Sequence, residues 1–512
     1  MGQTETLSMP QTTADFLNDS EIMQSITGLR NHFNQQTNKL SVSDVIDAQG
    51  NQYVDLVQEG GGVLGIALVG YTYALEQMGI RFFSMAGTSA GSINTMLLAC
   101  AGNKEEEKST EIIEKIARLN MFSFVDGMPG NARISRWVKK FLSNMLMGKK
   151  PFARIKKTIS WISGSFIFLV LAGIVLNFFN PALARWTGII ALILFFIFAG
   201  MLIFSIRLFK GFAKNGYGLN EGKAFHDWIR DTISSFTVHH ADSTENIQDL
   251  DSFSRHFLRL PPGLTVIPDH RRENNQAPNM PLITLITCDI ISERKIEFTR
   301  MWDLYWNDPK QVHPGDFVRA SMSIPIFFEA YSLSGIRKRS GIEKWKQHLN
   351  WQNSQGQIPD TVQFIDGGTL SNFPINVFYN PRYPVPRMPT FGIRLQNGVL
   401  DGANHRNGTI ASYLMALFST IRFNYDRDFI TKNRAYTLGV KSIDVQEFNW
   451  LNFFLTDEDK IKLFRAGVKA GAEFLKTFDW ENYKTERLKN YQMQEERFEN
   501  PNNMTAAPFK AS

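Results

Sequence analysis

Cysteine and histidine are scarce in this chain of 512 residues, which contains only two cysteines and nine histidines. Cys100 and Cys288 each lie in an apolar stretch, so we expect two buried thiols in a reducing compartment rather than a disulfide. Because clustered cysteine and histidine ligands are missing, no zinc site is predicted, and no other metal or cofactor is expected. The sequence has no long run of lysine and arginine, and its net charge is only +6. A nucleic-acid partner is therefore not predicted.

The first 40 residues lack an apolar run, so no cleavable secretory signal is predicted. Long apolar segments occur in the middle of the chain instead. The first runs from Ile159 to Phe179 and the second from Trp186 to Ile206. Each approaches the ~20 residues that cross ~30 Å of hydrocarbon. The sequence thus predicts a transmembrane helical hairpin, with a helical hairpin buried in a large core as the alternative.

Basic residues border both apolar segments, whereas the short connection between them contains Arg185 alone. The bordering residues are Lys149, Lys150, Arg154, Lys156 and Lys157 before the hairpin, and Arg207, Lys210 and Lys214 after it. By the positive-inside rule, both flanks, and hence the rest of the protein, are expected to face the cytoplasm. Upstream, residues 133–147 place apolar residues at helical spacing among basic ones. This pattern is typical of a helix in an anionic membrane interface or of an ordinary surface helix.

Strand and helix patterns alternate between residues 52 and 101. An apolar run at 53–57 leads to Gly60, Gly61 and Gly62, and a helical pattern over 64–78 follows. A second strand at 80–85 precedes a helix over 90–101. This order predicts a parallel sheet covered by helices. Further strands are predicted at 282–288, 295–299, 362–365 and 390–395, and further helices at 412–423 and from a Thr456 cap to about 478.

Ser89 lies at the centre of a G-x-S-x-G pentapeptide, between Gly87 and Gly91, where the second strand turns into its helix. A serine on such a turn projects its hydroxyl away from the backbone. Acyl transfer to serine also needs a base and hydrogen-bond donors for the oxyanion. The backbone N–H groups of the triglycine loop at 60–62 can supply these donors beside a helix N-terminus. A simple tight turn is the alternative interpretation of the three glycines.

The base is less obvious than the nucleophile. His405 follows Asp366 and would complete the order Ser, Asp, His of an α/β-hydrolase, but it lies in a polar loop that offers nothing to orient its ring. Asp366 ends a predicted strand, and carboxylates at strand ends of open α/β sheets gather around the active crevice. An aspartate can act directly on serine if burial raises its pKa above about 3.9. The alternative for its D-G-G sequence is a β-turn.

Three of these segments, in this order and setting, resemble the signature blocks of the patatin-like phospholipases. The blocks are 60–65, 87–91 and 366–368, and 318–325 is similar to that family's R-A-S-x-x-x-P segment. The resemblance extends from about 52 to 376, with the apolar hairpin as an insertion. It implies an α/β fold, a three-layer sandwich with a mainly parallel central sheet. It also implies a Ser–Asp dyad without histidine, and hydrolysis of acyl esters in membrane lipids.

Carried over by position, the resemblance assigns Ser89 as the nucleophile, Asp366 as the base and the backbone of the triglycine loop as the oxyanion hole. The supporting glycines are Gly65, Gly87, Gly91, Gly367 and Gly368. Leu64 stands where the family often has arginine or lysine, which removes a cation from this loop but not its backbone donors. Arg319 is a candidate for binding a charged headgroup or for a structural ion pair.

The sequence therefore predicts a membrane-anchored serine lipid acyl hydrolase whose partners are an acyl-ester lipid and the membrane. An acyltransferase that uses the same dyad and a non-catalytic membrane scaffold are the alternatives. The oligomeric state and the headgroup are not specified. The expected organisation is a polar extension (1–45), a first catalytic part (46–148), the hairpin insertion (149–215), a second catalytic part (216–400), a C-terminal helical region (401–481) and a flexible tail (482–512).

Overall fold

The computed structural model describes residues 12–35, 39–126, 217–239, 244–396 and 410–499, together with isolated residues between 164 and 203. The chain divides into two compact units. The first comprises Met1–Phe124, Lys223–Ile324 and Ala330–Ser512, and the second comprises Val125–Gly222 and Pro325–Glu329. The candidate catalytic residues all belong to the first unit.

Fourteen strands occur in the described part of the chain. They are β1 (Val45–Ile46), β2 (Gln52–Gln58), β3 (Ile80–Thr88), β4 (Gly218–Asn220), β5 (Thr237–His239), β6 (Thr244–Asn246), β7 (Thr265–Val266), β8 (Ile283–Asp289), β9 (Arg294–Thr299), β10 (Ile326–Phe328), β11 (Tyr331–Ser334), β12 (Thr361–Asp366), β13 (Thr390–Gln396) and β14 (Val440–Asp444). Ten of them form the main sheet of the first unit. The second unit contains the parallel pair β4 and β10, and β5 and β6 form a separate antiparallel pair.

The main sheet is mixed. Its five central strands run parallel in the order β14, β13, β2, β3, β8. The outer pairings, β1 with β2 and β7, β8 with β9 and β12, and β11 with β12, are antiparallel. The prediction of a mainly parallel sheet is therefore correct for the five central strands only. Short links such as the one between β8 and β9 cannot make the long crossover that parallel pairing requires.

Thirteen helices of the described residues surround these strands. They are α1 (Thr13–Leu17), α2 (Ser20–Phe33), α3 (Ile66–Glu76), α4 (Ala90–Cys100), α5 (Ser109–Ala117), α6 (Lys223–Ser235), α7 (Leu250–Phe257), α8 (Pro314–Ser321), α9 (Ile336–Arg339), α10 (Ile342–Leu349), α11 (Ile410–Lys432), α12 (Asp457–Thr477) and α13 (Trp480–Glu499). Every residue of β3 and β8 is buried, so both faces of the central sheet are covered. This arrangement is the α/β fold that the sequence predicts.

Two glycines allow α3 and α12 to pack closely. A Cβ on Gly70 would lie 2.0 Å from the carbonyl oxygen of Phe464, and one on Gly467 would lie 1.9 Å from that of Ala67. Only residues without side chains fit at such a crossing. The Thr456 cap is confirmed, since its hydroxyl accepts the N–H of Asp459 at 3.1 Å.

The C-terminal segment differs from the sequence prediction of a flexible tail over 482–512. Residues up to 499 form α13, which buries Tyr483, Lys484 and Arg487. The Lys484 Nζ lies 3.1 Å from Asp44 Oδ2 and 3.0 Å from Asp269 Oδ2. The prediction is wrong for 482–499 because a polar composition does not reveal charges that are paired and buried. Residues 500–512 lie outside the described part.

None of the helices in the described part of the chain is both long and apolar enough to cross a membrane. The two predicted spans are described only at isolated positions, and residues 133–147 lie outside the described part. At those isolated positions the backbone is helical, and large apolar side chains are exposed, among them Phe168, Phe178, Phe179, Trp186, Phe195 and Phe196.

Candidate active site

Ser89 occupies a strained turn between β3 and α4, with φ 53° and ψ −122°. Neighbouring glycines make this turn sterically feasible. A Cβ on Gly87 would lie 2.4 Å from the carbonyl oxygen of Gly91, and one on Gly91 would lie 2.3 Å from that of Gln58. A side chain at either position would therefore displace backbone. The G-x-S-x-G sequence thus forms the sharp elbow that was predicted.

The backbone and side chain of Ser89 both have partners in the segment 318–325. The Ser89 N–H donates to Ser321 Oγ at 2.9 Å, and the Ser89 hydroxyl donates to Met322 Sδ at 3.3 Å. Ser321 in turn donates to the carbonyl oxygen of Ile286 at 2.6 Å. The serine of the R-A-S sequence therefore anchors the elbow to β8, a role that sequence reasoning did not assign.

Asp366 lies at the end of β12 and is buried. Its Oδ1 accepts the N–H of Gly368 at 2.7 Å, and its own N–H donates to the carbonyl oxygen of Ser323 at 2.8 Å. Burial raises the pKa of this carboxyl, while the Arg422 guanidinium, the Ser89 hydroxyl and the Gly368 N–H lower it. The two predicted catalytic residues, 277 positions apart in the sequence (366 − 89), are thus close enough for the Ser89 hydroxyl to lower the pKa of Asp366.

The triglycine loop lies directly beside Ser89, because a Cβ on Gly60 would be 2.9 Å from the Ser89 Cβ. The Gly60 N–H donates to the carbonyl oxygen of Asn372 at 3.0 Å and is not free for an oxyanion. The Gly61 and Gly62 N–H groups, and that of Ala90 at the start of α4, have no hydrogen-bond acceptor within the described residues. The predicted set of three glycine donors is therefore reduced to two, and the amide after the nucleophile is a further candidate.

Asn372 links the triglycine loop to a cation that sequence reasoning missed. Its Oδ1 accepts a hydrogen bond from Arg422 Nη2 at 2.7 Å, while its Nδ2 donates to Gly60 O at 3.1 Å and to Glu59 Oε1 at 3.2 Å. The other Glu59 oxygen accepts the Leu395 N–H at 2.7 Å. Asn372 follows the D-G-G sequence closely enough to have been suspected. Nothing in the sequence marks Arg422, which comes from α11.

Among the residues that the structure describes, no histidine takes part in this site. Among the described residues, the hydrogen bonds of Ser89 and Asp366 involve no imidazole, and His226, His313 and His348 bond to Asp316, Ser234 and Asp303 elsewhere. His405 lies outside the described part. Arg319 is buried and donates to Ser323 Oγ at 2.7 Å, so its side chain supports the strand end that carries Asp366.

An apolar pocket begins next to the elbow. Gly62, Ala90 and Met322 line it at the serine end, and Leu97, Ile116 and Trp228 line it further away. Its empty volume is about 560 Å³, including the part that is open to solvent. A mainly apolar lining of this kind is typical of small-molecule sites. The pocket offers an apolar surface to a hydrocarbon chain whose polar end is near Ser89.

A serine at an elbow, a buried carboxylate and unpaired backbone amides on an α/β sheet form the type of site that performs acyl transfer. The family model of patatin-like phospholipases matches residues 56–379, and the chain belongs to this family. Membership supports lipid acyl hydrolase activity in general terms. It also confirms the resemblance drawn from the four sequence segments.

Two further similarities accompany this match. The uncharacterized protein YqhO of Bacillus subtilis strain 168 is 23% identical over 428 residues, which cover 84% of this chain and all of YqhO. The crystal structure of VipD from Legionella pneumophila has a TM-score of 0.35 and 13% identity, covering 87% of this chain and 72% of VipD.

Proposed function

We propose that this protein is a serine lipid acyl hydrolase in which Ser89 is the nucleophile and Asp366 is the base. The main support is the buried Asp366 carboxyl, whose pKa is lowered by the nearby hydroxyl of a serine held in a strained elbow. For the reaction, the hydroxyl turns from Met322 Sδ to the carboxylate. Hydrogen bonds of this kind often tighten only when substrate is bound.

In the proposed mechanism, Ser89 Oγ forms a bond to the ester carbonyl carbon while its proton passes to Asp366. The N–H groups of Gly61, Gly62 and Ala90 are available to stabilise the oxyanion. The proton then passes to the leaving alcohol oxygen as the carbon–oxygen bond breaks, leaving an acyl-enzyme. Water attacks this ester with Asp366 again as base, releasing the fatty acid and restoring Ser89.

The apolar pocket of the first unit suits a lipid substrate. The apolar pocket adjoins Ser89, so an acyl chain can lie in it while the ester carbonyl reaches the nucleophile. Each buried methylene stabilises such binding by about 0.8 kcal/mol. Histidine-free catalysis places more demand on the oxyanion donors, because aspartate is a weak base even when burial raises its pKa.

The apolar hairpin supports a membrane-anchored form of the enzyme. Its two segments have suitable length and basic borders, and at the described positions its large apolar side chains are exposed. We place the catalytic unit on the cytoplasmic side because the basic flanks are expected there. An anchor would keep the enzyme at a lipid surface without a separate binding step.

Catalysis is tested with Ser89→Ala, Asp366→Asn and the control Ser332→Ala, which changes an exposed serine of β11. A serine-directed fluorophosphonate should label the wild type and the control but not Ser89→Ala. Ester hydrolysis by Asp366→Asn should fall about 100-fold to 10,000-fold with the fold intact by circular dichroism. Labelling of Ser89→Ala, or near-normal hydrolysis by Asp366→Asn, would exclude the dyad.

Membrane anchoring is tested by alkaline carbonate extraction of membranes that contain the full chain. The wild type should stay in the membrane pellet. The double variant Phe195→Arg/Phe196→Arg should be released, because each arginine at the centre of a span costs about 2.5–3.5 kcal/mol. Leu258→Arg, at an exposed apolar position after α7, is the matched control and should behave like the wild type. Release of the wild type would contradict an integral anchor.

A further inference from the structure

The Arg422 side chain on α11 is a cation beside the candidate dyad with hydrogen-bonding capacity to spare. Its Nη2 donates to Asn372 Oδ1, and this atom would lie 3.2 Å from a Cβ on Gly368. Its Nε is buried and has no hydrogen-bond partner among the described residues. In the same part of the chain no carboxylate lies within 4.0 Å of the guanidinium. Arg422 is thus held in place by a neutral amide instead of being neutralised by an ion pair.

The carboxylates around Arg422 are occupied by other groups. Glu59 accepts hydrogen bonds from Asn372 Nδ2 and from the Leu395 N–H, one on each oxygen. Asp366 accepts the Gly368 N–H and interacts with the Ser89 hydroxyl. A half-buried guanidinium with unused donors favours an anionic ligand, and its planar fork matches the oxygens of a phosphate.

We propose that Arg422 binds the phosphate group of a lipid headgroup while the acyl ester of the same lipid is at Ser89. The inference rests on the proposed hydrolase function and names its substrate class as phosphate-bearing acyl lipids. In a glycerophospholipid only glycerol carbons separate the phosphate from the acyl esters, so a cation next to the dyad is well placed for it. Arg422 thereby supplies, from a separate helix, the positive charge that Leu64 does not provide in the glycine loop.

The rest of α11 favours a lipid over free phosphate as the source of this group. Leu417, Ile421 and Tyr425 are 47%, 51% and 47% exposed, and their spacing of four residues places them along one stripe of the helix. Exposed apolar residues next to a phosphate-binding arginine suit a ligand that has both a phosphate and a hydrocarbon chain.

The test compares two lipids that share one acyl group, 1-oleoyl-lysophosphatidate and 1-oleoylglycerol, in identical detergent micelles. We measure kcat/KM for both on the plateau of the pH–rate profile, where changes in the Asp366 pKa have no effect. The readout is the kcat/KM for 1-oleoyl-lysophosphatidate divided by the kcat/KM for 1-oleoylglycerol, since any loss that acts through Asn372 or Asp366 affects both substrates equally. Arg422→Gln should lower this ratio at least tenfold, and Arg422→Lys should give an intermediate value because it keeps the charge but not the fork.

Arg427→Gln is the matched control. Arg427 lies on the same helix, and its guanidinium is 5.3 Å from the centre of the Phe423 ring, the same distance as that of Arg422. This variant should keep the wild-type ratio. If Arg422→Gln also keeps the wild-type ratio, the proposal is wrong, and Arg422 is a positioning residue only.

A binding arm separates this proposal from the hydrolase proposal. In the Ser89→Ala background, 1-oleoyl-lysophosphatidate should bind at least tenfold more tightly than in Ser89→Ala/Arg422→Gln, as measured by calorimetry. This difference would support the phosphate site even if the wild type hydrolysed neither lipid, a result that would refute the hydrolase function alone. Glycerol 3-phosphate should bind much more weakly than the lysolipid, and equal binding would overturn the assignment to a lipid headgroup.

Discussion

The backbone N–H of Ser89 donates to the hydroxyl oxygen of Ser321 at 2.9 Å, and Ser321 in turn donates to the carbonyl oxygen of Ile286 at 2.6 Å. This pair of hydrogen bonds ties the elbow to the C-terminal end of α8 and to β8. A non-glycine residue at positive φ costs about 1–3 kcal/mol and persists only when its surroundings hold it. Ser321 is one of the groups that hold Ser89 in this conformation.

We expect Ser321→Ala to lower kcat about tenfold and to destabilise the fold by about 1–3 kcal/mol, because the buried Ser89 N–H loses its acceptor. Ester hydrolysis and urea unfolding measure the two effects. Ser332→Ala removes an exposed hydroxyl from β11 and should leave both quantities unchanged. Full activity of Ser321→Ala would show that the elbow keeps its shape without this hydrogen bond.

The second prediction concerns the close approach of α4 to β2. Gly91→Ala places a Cβ 2.3 Å from the carbonyl oxygen of Gln58, a backbone atom that cannot move aside. We expect a large loss of both stability and activity. Gly28→Ala is the matched control within α2, since a Cβ there meets nothing within 4 Å, and it should raise the free energy of unfolding by up to about 1 kcal/mol. Thermal unfolding measures the stability of both variants. A Gly91→Ala variant as stable as the wild type would contradict this prediction.

Much of this site could be predicted because its chemistry depends on local sequence. Glycines around Ser89 are needed to form the turn, and a short apolar run ending in Asp366 forms a strand whose end lies beside the elbow. Periodicity likewise predicted β2, β3, β8 and β13, together with α3, α4 and α12, with small errors at their ends, but it did not predict β14. Each of these features is encoded within a few consecutive residues.

The remaining features depend on contacts between distant segments. Arg422 and Asn372 meet only because α11 returns to the strand end that carries Asp366, and an isolated arginine in a helical pattern carries no sign of this. The hydrogen bond that the Gly60 N–H donates could not be predicted from the sequence either, since its acceptor is 312 positions away. The sequence of α13 has the polar composition of a solvated tail. Only the ion-pair partners of its buried charged side chains distinguish it from such a tail.

The third prediction follows from the burial of Asp366. Because burial raises the pKa of this carboxyl and the proposed reaction needs the carboxylate, kcat/KM for a neutral short-chain ester should fall as the pH decreases through the raised pKa. The midpoint should lie above the ordinary aspartate value of about 3.9. Arg422→Gln removes a cation that lowers this pKa and should move the midpoint to higher pH, whereas Arg427→Gln should not. A midpoint at or below pH ~4 in the wild type would contradict this role of Asp366.

The fourth prediction concerns the ion pairs that attach α13. Hydrogen bonding to Arg271, with further help from Lys484, holds the pKa of Asp269 well below its usual range. A carboxyl with a depressed folded pKa stabilises the fold fully above the unfolded value of about 3.9, and this stabilisation is lost as the pH falls through the folded pKa. We therefore expect Asp269→Asn to destabilise the protein by about 3 kcal/mol or more at neutral pH. The difference from the wild type should shrink below pH ~4.

Urea unfolding at several pH values measures this dependence. Asp251→Asn is the control, because Asp251 forms an ion pair with Arg255 within α7, where both side chains are exposed by more than a third. Exposed pairs contribute little, so this variant should stay close to the wild type. A difference between wild type and Asp269→Asn that did not change with pH would refute the charge-based explanation.

The last prediction concerns the apolar pocket and the length of the acyl chain. Ile93 lines the pocket and is only partly buried, so Ile93→Trp would fill much of the space beyond Ala90. The ratio of kcat/KM for a palmitoyl ester to that for a butyryl ester should fall at least tenfold. Such a fall corresponds to about 1.4 kcal/mol, less than the transfer free energy of two methylenes. Ile93→Val, which removes a single methyl group, should keep the ratio within about twofold of the wild type. An unchanged ratio in Ile93→Trp would mean that the acyl chain leaves Ser89 by another route, and the search for its binding surface would then turn to the exposed side of α11.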